Sequence, residues 1–136
     1  MKENCNFIIK ENAIVDKSAK IGKNCFIDYG AVIYPNVVLE DNVYIGPYSI
    51  IGAPTGSYFS EYDEHNFKET VIGRNSVIRS HNVIYENTKI GYEFQTGHHV
   101  TIRENSVLGH NCSVGTFSDI QGNVNIGDLR LLICVY

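Results

Sequence analysis

The sequence predicts an all-β chain, a parallel β-helix of about six triangular coils with one extended loop. Three observations carry this. Large aliphatic residues recur every six positions, from Ile9, Val15, Ile21, Ile27, Ile33, Leu39, Ile45 and Ile51 to a second series, Ile72, Ile78, Ile84, Ile90, then Ile102, Leu108, Val114, Ile120 and Ile126. Mostly smaller residues recur two positions earlier, among them Ala13, Ala19, Cys25, Ala31, Ser49, Thr70, Ser76, Asn82, Ser106 and Cys112. Glycine and then asparagine recur in the phases that follow.

Each element of the repeat has a physical reason. Residues two apart on a strand face the same side, so each unit is a short strand with one small and one large side chain turned inward. Thr96 is the one departure from the aliphatic type in the large slot. Gly22, Gly46, Gly52, Gly73, Gly91, Gly97, Gly109, Gly115 and Gly127 follow that slot, and Asn12, Asn24, Asn36, Asn42, Asn75, Asn87, Asn105, Asn111 and Asn123 come two positions later. Both residue types tolerate turn dihedrals, so strand and turn alternate and three units close one coil. A helix needs a period of 3.6, and strands of a sandwich keep no fixed beat of six.

The chain of 136 residues reads as one domain over residues 1–136, broken twice. A loop over residues 53–70 holds the insert Ala53 to Glu69, whose Tyr58, Phe59, Tyr62 and Phe67 predict packing against a ligand or another subunit. The six-residue logic fails in an irregular tail over residues 129–136, where Leu129 takes a turn position and Arg130 a small inward slot. The expectation is a shortened or altered version of a longer protein.

Composition narrows the function classes. The net charge is -4 and no face is basic, which argues against nucleic acid. No apolar run of membrane-spanning length follows the N-terminus, so no membrane insertion and a cytoplasmic location are expected. Cys5, Cys25, Cys112 and Cys134 have no zinc spacing, and Cys25 and Cys112 read as core fillers.

The span from Ile9 to Gly127 resembles the hexapeptide-repeat acyltransferases. The loop segment from Ile51-Gly52 to Ile72-Gly73 is similar to that of UDP-N-acetylglucosamine acyltransferases. Val107-Leu108-Gly109-His110-Asn111-Cys112-Ser113-Val114-Gly115 is similar to a catalytic-histidine segment, and Phe94 to Glu104 resembles a stretch of nucleotide-sugar acetyltransferases. The resemblance implies a left-handed helix, contrary to the usual right-handed crossover. It implies a homotrimer with sites between subunits, acetyl-CoA or another acyl-CoA as co-substrate, and a nucleotide sugar as acceptor. It also implies a histidine general base, and no metal is expected.

Histidine suits this role because its proton exchanges near neutrality. His98 and His110 each follow a glycine in the same phase and are the two catalytic candidates; counting coils puts them on different faces. His110 is followed by Asn111 where related enzymes often carry an acid. His81 and His99 fill turn positions 18 residues apart, and His65 lies in the loop with no nameable partner. Gly97, Gly109 and Gly115 are candidates to bind the donor through backbone N–H groups that would receive an oxyanion, with Arg103 on a phosphate. His99, Glu104 and Arg79 are candidates for the acceptor, and the stacked pair Glu86 and Glu104 could orient a histidine. Two other readings stay open: a trimeric scaffold or remnant without catalysis, and a γ-type carbonic anhydrase, which needs a histidine pair of a spacing absent here.

Overall fold

A computed structural model describes residues 6–133; Cys5 and Cys134 lie outside the described residues. The strands run β1 (Ile8–Ile9), β2 (Ile14–Val15), β3 (Lys20–Ile21), β4 (Phe26–Ile27), β5 (Val32–Ile33), β6 (Val37–Leu39), β7 (Tyr44–Ile45) and β8 (Ile50–Ala53). After the loop come β9 (Thr70–Ile72), β10 (Val77–Ile78), β11 (Val83–Tyr85), β12 (Lys89–Ile90), β13 (Gln95–Thr96) and β14 (Thr101–Ile102). β15 (Val107–Leu108), β16 (Ser113–Val114), β17 (Asp119–Ile120), β18 (Asn125–Ile126) and β19 (Leu131–Leu132) complete the order.

Every third strand joins the same sheet, and the pairs identified are parallel. The first face holds seven strands, β1-β4-β7-β10-β13-β16-β19, and the second and third faces six each. Among the described residues this is six coils and the first face of a seventh. The architecture is an all-β parallel solenoid, consistent with the left-handed β-helix expected of it. We name the corners by the faces they join: first to second, second to third, and third back to first.

The inward slots fall as the repeat predicts. Ile27, Ile45, Ile51, Ile72, Ile78, Ile84 and Ile102 have no exposed surface, and Cys25 and Cys112 fill buried small slots as free thiols. Burial pushes the Cys25 thiol up. Thr96 is buried and accepts from Arg79 N–H and from Asn82 Nδ2. Asn82, wholly buried, also donates to the Arg79 and Gly97 carbonyls and accepts from Val100 N–H.

All nine asparagines of the turn phase have φ between 59° and 64°. The glycine phase has a different reason: among its members only Gly52 has positive φ, at 82°. Most of the others make room for the next coil. A Cβ on Gly91 would run into His110 Nδ1, one on Gly97 into Thr116 Oγ1, and one on Gly109 into Asp128 Oδ1. In each case that atom caps the amide after the glycine: Tyr92 N–H donates to His110 Nδ1 at 3.0 Å, His98 N–H to Thr116 Oγ1 at 3.1 Å and His110 N–H to Asp128 Oδ1 at 2.8 Å.

The expectation that the repeat fails at residue 129 is corrected. Leu129 takes the left-handed turn with φ 59°, and Leu131–Leu132 pair with Ser113–Val114 in register. The turn is held by backbone bonding to the previous coil, Leu129 N–H to His110 O at 2.9 Å, so the unit tolerates an unfavoured residue. Arg130, in a small inward slot, is exposed.

Candidate functional site

The predicted residues fall on all three corners. His98 sits on the first-to-second corner. Its Nδ1 is 2.8 Å from Ser80 Oγ, one coil earlier, and it lines a shallow groove of about 330 Å³ with Arg79, Gly97 and Gly115. Arg79 Nη1 donates to Thr96 O at 2.8 Å and to Gln95 Oε1 at 3.3 Å. The next residue, His99, has φ 56° and belongs to a ladder of rings up the corner. Its centroid is 4.9 Å from His81 and 5.2 Å from Phe117, and His81 is 5.5 Å from Tyr48.

His110 is elsewhere, on the third-to-first corner with Gly109. Its ring lies on Tyr92, and its Nδ1 accepts the Tyr92 amide, so the proton of the neutral ring is on Nε2.

Arg103 and Glu104 sit on the remaining corner and bind each other, Nε to Oε1, at 2.9 Å. The Arg103 guanidinium also lies 4.3 Å from the Tyr85 ring centroid. The bond to Glu104 pushes the Arg103 pKa up. Burial raises the Glu104 carboxyl, but its own backbone N–H and Arg103 outweigh that and hold it low. Hence His98, Gly97, Gly115 and Arg79 come together, while His110 with Gly109, and Arg103 with Glu104, do not join them.

The expected oxyanion donors are occupied. Gly97 N–H donates to Val114 O, Gly109 N–H to Ile126 O and Gly115 N–H to Leu132 O, at 2.8, 2.8 and 2.6 Å. The same parallel ladder that makes the coils stack consumes these amides.

The sequence reading missed the most enclosed cluster. The loop, with 3₁₀ turns at Gly56–Phe59 and Tyr62–Glu64, folds back over the second-to-third corner. Its aromatics pack on one another, and Phe67 stacks on Tyr34 of its own prism at 5.6 Å. Phe59 and Tyr62 remain 63% and 62% exposed, which leaves the expected outside contact open to them. Beneath lies a cavity of about 450 Å³ lined by residues that include Ser57, Glu61, Glu64, His65, Glu86 and Glu104. His65 Nε2 is 2.7 Å from Glu86 Oε2, and His65 Nδ1 is 2.8 Å from Ser57 Oγ. The His65 and Glu86 side chains are 4% and 3% exposed. Glu86 also accepts from Thr55 N–H, Thr55 Oγ1 and Lys68 N–H. Burial pushes its carboxyl up, but these donors together outweigh burial and hold it below the usual value. One signal pointed here: Glu86 and Glu104 stack one coil apart beside the insert. A six-residue period says nothing about where a loop histidine lands.

Among the described residues, no three His, Cys, Asp or Glu side chains gather in a group that could hold a metal ion, and no helix is long and apolar enough to cross a membrane.

Residues 18–53, about a quarter of the chain, match the family described as bacterial transferase hexapeptide (six repeats). The chain is also similar to the solved structure of LpxA from Acinetobacter baumannii, at 19% identity with a TM-score of 0.35. That alignment covers 88% of this chain and 66% of the LpxA chain, so the former spans less than two thirds of the latter's length. No curated protein matches the chain.

Proposed function

We propose that the chain is an acyltransferase that moves an acetyl or other acyl group from an acyl-CoA to an amino or hydroxyl group of a nucleotide-linked sugar. His98 is its general base. One observation carries the choice of residue: the 2.8 Å contact of His98 Nδ1 with Ser80 Oγ. With Nδ1–H donating to that hydroxyl, Nε2 keeps a lone pair for the acceptor's proton. His110 lacks this option, because its Nδ1 is spent on the Tyr92 amide.

Around His98, Gly97 and Gly115 offer a floor without side chains for the donor. Arg79 has five N–H donors, of which the two contacts above leave others for a phosphate. His99 extends the acceptor side of that corner. Arg103, Glu104 and Gly109 reach the same cleft only if a second copy supplies them, which is the reason to propose a homotrimer. The chain is proposed to work in the cytoplasm with no metal.

A scaffold without catalysis has one observation in its favour, the occupied amides of Gly97, Gly109 and Gly115. Titration calorimetry of acetyl-CoA, after light scattering for oligomer size, separates the readings. A trimer that binds acetyl-CoA, and whose His98→Ala variant loses turnover by about 10²-fold or more while His110→Ala does not, supports transfer through His98. A folded chain with no affinity for acetyl-CoA supports the scaffold.

A further inference from the structure

The cavity under the loop holds a nucleophile, a base and an orienting carboxylate that the transferase reading does not use. Glu86 is buried and receives four donors, so it acts as an acceptor-only carboxylate. His65 therefore carries its proton on Nε2 and donates it to Glu86. That leaves a lone pair on Nδ1, which faces Ser57 Oγ at 2.8 Å, so the serine hydroxyl donates to it. Tyr58 and Phe67 meet the imidazole edge to face, with centroids 5.7 and 4.6 Å away, and fix its plane. Ser57 itself is exposed and lines the cavity. Nucleophile bonded to base, and base held by a third group, is the arrangement that activates a hydroxyl.

We propose that Ser57 is a catalytic nucleophile, activated by His65 and oriented through Glu86, and that the cavity takes a neutral or cationic acyl ester. Ser57 Oγ bonds to the acyl carbon while its proton passes to His65 Nδ1. The bond from that carbon to the alkoxy oxygen breaks, and the alcohol leaves with the proton from His65. Water then repeats the exchange, releasing the acid and restoring Ser57. The charge preference follows from the lining: Glu61, Glu64, Glu86 and Glu104 outnumber the cations beside them, Lys68 in the lining and Arg103 paired to Glu104. Such a cavity repels a polyanion such as CoA, so this activity is separate from the His98 groove and does not rest on the transferase reading.

The test uses the whole chain and a serine-directed fluorophosphonate, read by intact mass and peptide mapping, with hydrolysis of p-nitrophenyl acetate, a choline ester and a succinate half-ester alongside. A single adduct on Ser57 is expected, absent in Ser57→Ala and slowed by about 10²-fold or more in His65→Gln and Glu86→Gln. His98→Ala labels as the parent does, which separates this proposal from the transferase reading. The choline and acetate esters turn over faster than the anionic one. Ser57 is exposed, so Ser57→Ala keeps the fold by circular dichroism. No adduct on Ser57 in the folded parent, or equal labelling rates in folded parent and His65→Gln, overturns the proposal.

Discussion

The imidazole of His110 lies flat on the ring of Tyr92, with centroids 3.7 Å apart and planes 13° from parallel. One coil earlier Arg74 stands 4.3 Å from the Tyr92 centroid, so cation, phenol and imidazole form a column on the corner. The same imidazole caps the Tyr92 amide. His110→Ala removes a stacked ring and a cap, and we expect a loss of about 1–3 kcal/mol in urea unfolding. Turnover per folded molecule should hold; a fall to the level of His98→Ala would move the general base to His110.

Buried polar slots should respond in opposite ways. Asn82→Ala strips donors from two carbonyls and Thr96, and an acceptor from Val100 N–H, all deep in the prism. A cost of about 2–4 kcal/mol is expected. Thr70 Oγ1 is a buried side-chain atom with no hydrogen-bond partner among the described residues. Thr70→Val keeps the shape and removes the desolvated hydroxyl, so its denaturation midpoint should match or exceed the parent's. A large loss in Thr70→Val would reveal a partner for that hydroxyl.

The contrast between Asn82 and Thr70 also shows where reading the sequence stops. Periodicity placed both inward, because a strand's two-residue alternation is local. Which of the two finds partners depends on the neighbouring coil, and that depends on exact stacking. Likewise the turn phase named every left-handed asparagine, while the glycines needed the structure: Gly91 is small because His110, from the next coil, sits over it. The separation of His98 from His110 was legible as arithmetic on coils. The meeting of His65 with Glu86 was not, since a loop of irregular backbone has no period to count.

Tyr44 offers a spectroscopic check on the first face. Its hydroxyl donates to Asp28 Oδ2 at 2.7 Å. Burial, then that bond and the Asp28 charge, push its pKa up from 10.0 to about 12. A raised folded value means the neutral phenol is favoured by folding. The contribution is therefore whole below pH 10.0 and is lost as pH rises through about 12. Burial raises Tyr34 as well, so ultraviolet titration should show a late phenolate that disappears in Tyr44→Phe while that of Tyr34 remains; an unchanged curve would break the assignment.

Acid should release the loop before it melts the coils. The Glu86 carboxyl is held below its ordinary 4.5, so the unfolded chain binds its proton at a higher pH than the folded chain does. Its contribution is present above that ordinary value and is lost as pH falls through the lower folded one. Protonation then weakens acceptance from Thr55, Lys68 and His65 together, and these are the loop's ties to the corner through Glu86, beside that of Asn36 Nδ2 to Phe67 O. Hydrogen exchange at the Thr55 and Lys68 amides should rise through that window in the parent. In Glu86→Gln those amides should be poorly protected already at neutral pH, with no acid step. The parallel ladders should stay protected in both proteins, because their bonds run from backbone N–H to backbone C=O. Parent amides that hold their protection well below the ordinary carboxylate range would show that the loop is fixed by its aromatic packing on Tyr34 rather than by Glu86.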